Sequence, residues 1–118
     1  MSKDIVERSI AYALQVIKIY RELERDTVGR VIGRQLLRSG TSVGANIHEA
    51  QGGQSKADFI AKMSVAHKEA LESAYWLRLI REAGLAPGDR LTGVSDETEQ
   101  LIKILSSILL SAKRTREK

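Results

Sequence analysis

Proline occurs once in 118 residues, at position 87. Almost the whole chain can therefore run as helix without the residue that deletes a backbone donor and clashes with the preceding turn. Ala, Leu, Ile, Glu, Lys and Arg are abundant and aromatics make up only 4%, a helix-forming composition. With 42% apolar residues the chain is too hydrophobic for disorder. Its length suits a single domain, residues 1–118, with a sizeable core. There is no cysteine, which excludes disulfide frameworks, thiolate zinc sites, iron–sulfur clusters and cysteine nucleophiles. Residues Met1 to Arg8 mix acids and bases where a signal peptide needs an apolar stretch. The most apolar run, Ile104 to Ala112, is broken by serines and too short for a bilayer. The expectation is a soluble, cytoplasmic protein.

Periodicity and end signals divide the chain into four helices, at about 2–24, 27–51, 55–83 and 95–114. Ser2 is a candidate N-cap for the first. That segment carries two apolar stripes at helical spacing. One is Val6, Ile10, Ala13, Ile17 and Tyr20; the other is Ile5, Tyr12, Val16, Ile19 and Leu23. Together they exceed the arc that a surface helix needs. One stripe fits the bundle core. The other, Ile5 to Leu23, is assigned to a subunit interface, with Val65, Trp76 and Leu79 from the third segment. A single deeply buried helix is the alternative.

The second segment, with the Gly52-Gly53 pair that ends it, holds six of the nine glycines. Val28, Ile32, Leu36, Val43 and Ile47 share one face. The pairs Gly29/Gly33 and Gly40/Gly44 suggest close backbone approach, and the stretch Gly40 to Gly44 is a weak point where the helix could kink. Gln35, Ser39, Ser42 and Asn46 project near the core face, as a hydrogen-bonded seam or as the lining of an interface or pocket. The third segment starts at a capping box, Ser55 to Asp58, and stops at Gly84. Its core face is Phe59, Met63, Ala66, Ala70, Ala74 and Leu77. A loop with Pro87-Gly88 follows, and the fourth helix turns Leu101, Leu105, Ile108 and Ala112 inward. No strand pattern or repeat is present. The fold class is all-α, an antiparallel up-down-up-down four-helix bundle.

Catalytic signatures are missing. The residues three before His48 and His67 are Ala45 and Ser64, so a di-iron Glu-x-x-His site is excluded. Position 52 is Gly, so His48-Glu49 does not extend to a zinc-protease motif. No cofactor or metal is implied, and the expectation is a protein without enzymatic activity. A pocket built on His67 and Asn46 is the weakest of the readings weighed.

The strongest functional pattern is basic. Arg30, Arg34 and Arg38 recur at i, i+4 and i+8, opposite the apolar face, with Asp26 the only acid at i±4. Like charges at that spacing oppose helix formation, and guanidinium groups suit phosphates. A solvated face, or pairing with acids of another helix, is the rival explanation. The formal charge of +4 divides accordingly: three charges lie on this row and a net three on residues 113–118, which include Lys113, Arg114 and Arg116. The remainder is slightly acidic.

The stretch from Arg34 to Ala50, with Ser55 to Ile60, resembles the bacterial four-helix-bundle proteins encoded in intervening sequences of large-subunit ribosomal RNA genes. Gln35, Leu36, Arg38, Ser42, Ala45, Asn46, Ile47, Glu49, Ser55 and Phe59 match that pattern. Gly44 replaces a usual Pro, Ala50 a frequent Gly, and Leu37 an Arg. The resemblance implies a ring-like homo-oligomer, a pentamer, with Gln35, Ser42, Asn46 and Glu49 as structural motif residues. It also implies a fold similar to the accessory proteins of diversity-generating retroelements, which bind nucleic acid and contact a reverse transcriptase. The expected function is phosphate-directed RNA or DNA binding with little sequence specificity. Arg30, Arg34 and Arg38 make the contacts and Lys113, Arg114 and Arg116 supplement them. The alternative is a protein scaffold, such as an adaptor for a reverse transcriptase, without nucleic-acid affinity.

Overall fold

The computed structural model describes residues 3–117, with side chains from 5 to 115. The Ser2 cap and the Arg116 side chain lie outside the described residues. Four helices make up the chain: α1 (Lys3–Leu23), α2 (Thr27–Gln51), α3 (Lys56–Glu82) and α4 (Gly88–Glu117). Their ends follow local chemistry. The Asp26 carboxylate accepts the Gly29 N–H at 2.8 Å and caps α2. The Ser55 hydroxyl accepts the Asp58 N–H at 3.0 Å and caps α3. Gly84 takes φ +67 after α3. Its N–H reaches the Arg81 carbonyl, and the Leu85 N–H reaches that of Ile80, the paired bonds of a Schellman stop.

Each helix packs on its neighbours in chain order, α2 against α3 most extensively, and α1 closes on α4 more sparsely. The bundle measures 50 × 20 × 20 Å. The α1–α2 turn and the start of α4 share one end, where Arg90 pairs with Glu22 at 2.5 Å. The C-terminus of α4 lies at the other.

The core seam of α1 is Ile5, Tyr12, Val16, Ile19 and Leu23, all closed to solvent. This reverses the assignment of that stripe to a subunit interface. Glycine explains the choice. A Cβ on Gly40 would stand 2.8 Å from Val16 Cγ2, one on Gly33 would stand 3.2 Å from Leu23 Cδ1, and one on Gly44 would stand 3.2 Å from Ser9 Oγ. The glycines of α2 let α1 lie down on this side. Helix α2 runs through Gly40–Gly44 as unbroken helix.

Other boundaries differ from the sequence reading. Helix α4 begins at Gly88, not near Ser95. Leu91 and Val94 are buried and extend the seam of Leu101 and Leu105 backwards. Their burial outweighs the cost of about 1 kcal/mol for Gly93 in a helix. Val28 is 57% exposed and leaves the α2 core face. On α3, Ile60, Ser73 and Ile80 are buried, while Phe59 and Ala74 flank the core. On α4, Leu109 is buried and Ile108 flanks it.

One polar layer crosses this core. Tyr12, Ser39, Ser73 and Thr98, one residue from each helix, are all enclosed. Ser39 and Ser73 hydroxyls are 2.8 Å apart. The phenol of Tyr12 meets the hydroxyl of Thr98 at 2.7 Å. Among the described residues, no buried side-chain nitrogen or oxygen lacks a partner. The seam expected on α2 is thus real at Ser39.

Candidate nucleic-acid interface

The basic row of α2 splits in two. Arg38 reaches across to α3, where Nη1 donates to Glu69 at 3.2 Å and Nη2 to Glu72. Glu72 also accepts the Trp76 indole N–H at 2.9 Å. Arg38 is therefore neutralised by acids from a neighbouring helix. Arg30 and Arg34 are not. Both are exposed. Arg30 Nε donates to the backbone carbonyl of Glu24 at 3.3 Å, which folds it against the α1–α2 turn. Among the described residues neither has an ion-pair partner. Two exposed arginines at the same end, Arg21 and Arg25, escaped the sequence reading. Their i, i+4 spacing was visible, but only the turn brings them to the start of α2.

Lys113 and Arg114 are exposed on the last turns of α4. The antiparallel order puts them at the opposite end from Arg30. They cannot extend the Arg30/Arg34 patch within one subunit of this length.

Of the family-motif residues, one ties two helices together. Glu49 pairs with Lys62 of α3 at 2.7 Å. Asn46 Nδ2 donates to the Ser42 carbonyl at 2.9 Å, within α2. Gln35 is exposed. Among the predicted interface residues of α3, Val65 is exposed, and Trp76 and Leu79 are half-buried. Of the first stripe of α1, Ile10 is exposed at 40%, with Leu14 beside it at 61%, while Val6, Ala13, Ile17 and Tyr20 are partly covered.

A family model described as 23S rRNA-intervening sequence protein matches residues 1–107. The chain belongs to this family. A solved structure from Bacteroides thetaiotaomicron, a protein of unknown function from the S23 ribosomal protein family, is similar to it. The two share 36% identity with a TM-score of 0.85, over 89% of this chain and 97% of the other. No curated protein matches the chain. In this 23S rRNA-intervening sequence protein, Gly44 stands where the motif usually carries Pro. Its missing side chain leaves room for Ser9 of α1, so the position serves close packing here.

No helix among the described residues is long and apolar enough to cross a membrane. Among the same residues, no group of three or more His, Asp or Glu gathers as a metal site.

Proposed function

We propose that this chain is a non-catalytic homo-oligomer that binds RNA or DNA through phosphate contacts at the α1–α2 end of the bundle. The observation that carries this reading is the contrast within one helix face. Arg30 and Arg34 are exposed without acidic partners among the described residues, whereas Arg38 is held by Glu69 and Glu72. Arginines left unpaired one turn apart suit a sugar–phosphate strand. Repetition around an oligomer would raise weak contacts to useful avidity, and the outward apolar stripe of α1 is the surface on which copies would meet. Contacts of this kind position a strand without reading its sequence.

The test is binding of a fluorescent oligonucleotide across a salt series. Arg30→Ala with Arg34→Ala should flatten the log–log salt slope by about two units per engaged subunit. Arg38→Ala should change it little, because that charge is already neutralised. An unchanged slope in the double variant removes this face from binding.

The α1 stripe equally suits a protein scaffold, for instance an adaptor for a reverse transcriptase. A fold like that of retroelement accessory proteins, which the family resemblance implies, would point the same way. On that reading the purified protein ignores oligonucleotides at every salt concentration, and a polymerase co-purifies.

A further inference from the structure

A second surface on the molecule has the makings of a ligand site. Between α3 and the first half of α4 lies a half-open cleft of about 490 Å³. Its two walls differ in chemistry. The α3 wall carries Tyr75, Arg78 and Arg81, and the α4 wall carries Asp96 and Glu99. Tyr75 is 55% exposed. It stands edge-on to Trp76, ring centroids 4.9 Å apart, and lines the cleft. Arg78 is engaged with Glu82 at 2.6 Å. Arg81, Asp96 and Glu99 are exposed and have no ion-pair partner among the described residues.

A purely anionic ligand would be repelled by Asp96 and Glu99, and a purely cationic one by the arginines. The walls ask for a ligand with a flat ring, a negative group on one side and N–H donors on the other. An exposed aromatic face stacks nucleobases of any kind. A carboxylate accepts from exocyclic amino groups and rejects bases whose edge shows only carbonyl oxygens around one N–H. Guanine, with two adjacent N–H donors on one edge, fits a carboxylate best. Uracil fits worst.

We propose that this cleft takes one unpaired, amino-bearing nucleobase, guanine first. The base stacks on Tyr75, its phosphate lies on Arg81, and its amino edge faces Asp96 and Glu99. The same chemistry is offered by a free nucleotide and by one residue of a single strand. The cleft shares no residue with Arg30 and Arg34, so its test is separate from theirs. It would add a modest base preference to binding that is otherwise indifferent to sequence.

The experiment uses the full chain. Fluorescence anisotropy follows two labelled heptaribonucleotides, UUUGUUU and UUUUUUU, with unlabelled GMP as competitor. The guanine strand should bind about tenfold more tightly than the uridine strand. Tyr75→Ala and Arg81→Ala should each abolish that preference. Asp96→Asn with Glu99→Gln should let the uridine strand catch up, since amides also donate to carbonyls. Competition by GMP assigns the site to free nucleotides as well; its absence confines the site to strands. Equal binding of the two strands by the unaltered protein overturns the proposal. So does a guanine preference that survives Tyr75→Ala. Arg30→Ala with Arg34→Ala should weaken both strands alike and leave the preference in place.

Discussion

The phenol oxygen of Tyr12 on α1 lies 2.7 Å from the Thr98 hydroxyl on α4, with both residues closed to solvent. Thr98 gives its own proton to the Val94 carbonyl at 2.7 Å, so the phenol donates. This bond joins the two helices that pack most sparsely, α1 and α4. Removing it by Tyr12→Phe should cost about 1 kcal/mol, because Thr98 remains satisfied by Val94. Urea unfolding measures this. The pH dependence is the sharper check. Burial is the main cause that raises the Tyr12 phenol above its ordinary 10.0. The unfolded phenol therefore ionises first, and its contribution is fully present below pH 10 and lost as pH rises through the folded value. Wild type should lose stability on alkalinisation faster than Tyr12→Phe.

Two helical glycines, Gly40 on α2 and Gly93 on α4, should respond with opposite signs. Gly40→Ala places a methyl 2.8 and 2.9 Å from the two Val16 methyls. Val16 is β-branched and fully enclosed, so it has no easy rotamer to escape into. The clash should outweigh the helix-propensity gain, for a net loss of about 1–3 kcal/mol. Gly93→Ala meets nothing within 4 Å and should stabilise the protein by roughly 0.5–1 kcal/mol. Adding Val16→Ala should relieve part of the Gly40→Ala defect. Thermal melts of the three variants decide; a stabilising Gly40→Ala would remove the packing account of the α1–α2 contact.

Helix ends were legible because their signals are local. Asp26, Ser55 and Gly84 act on backbone groups a few residues away. The core stripe of α1 was not, because both stripes are apolar and helically spaced. What selects between them is the glycine row of α2 and the Thr98 hydroxyl waiting for Tyr12, and both belong to other helices. The start of α4 was obscured in the same way, since Gly88 and Gly93 read as loop residues until Leu91 and Val94 find the core. At the candidate site, the sequence leaves open whether acids of another helix pair with the arginine row, because helical spacing shows only the neighbours at i±4. Glu69 and Glu72 neutralise Arg38 from α3, and only the packing of α2 on α3 brings them there. The α3–α4 cleft is likewise assembled from two helices that share no local motif.

The Arg38–Glu72–Trp76 group should titrate in acid. The Trp76 indole N–H, followed by the Arg38 charge, holds the Glu72 carboxyl below its ordinary 4.5. A lowered folded value contributes stability above pH 4.5 that fades as pH falls through it. The side chain is close to solvent, so the effect on stability is small. The Trp76 Nε1–H resonance reports it directly and should shift with a midpoint below 4.5. Trp76→Phe should bring the Glu72 midpoint, followed on the Glu72 carboxyl carbon resonance, back towards that value. A midpoint unmoved by the substitution would mean that the indole bond is absent in solution.

The outward stripe of α1 decides the oligomer question. Leu14 and Ile10 are 61% and 40% exposed on a helix whose other face is already committed to the core. Each such side chain returns about 1.5–3 kcal/mol when fully buried, so a copy seated on this face would hold several together. Light scattering should give wild type a mass several times 13.1 kDa. Leu14→Glu with Ile10→Glu should reduce it to a single chain. The monomer should keep its helical signal and melting temperature, since exposed positions rarely matter to a fold by more than about 0.5 kcal/mol. That separates loss of assembly from unfolding. An assembly that survives these changes and falls to Val65→Glu would put the contact on α3, where Val65 is 42% exposed. A wild-type monomer would remove the avidity on which the phosphate-binding proposal draws.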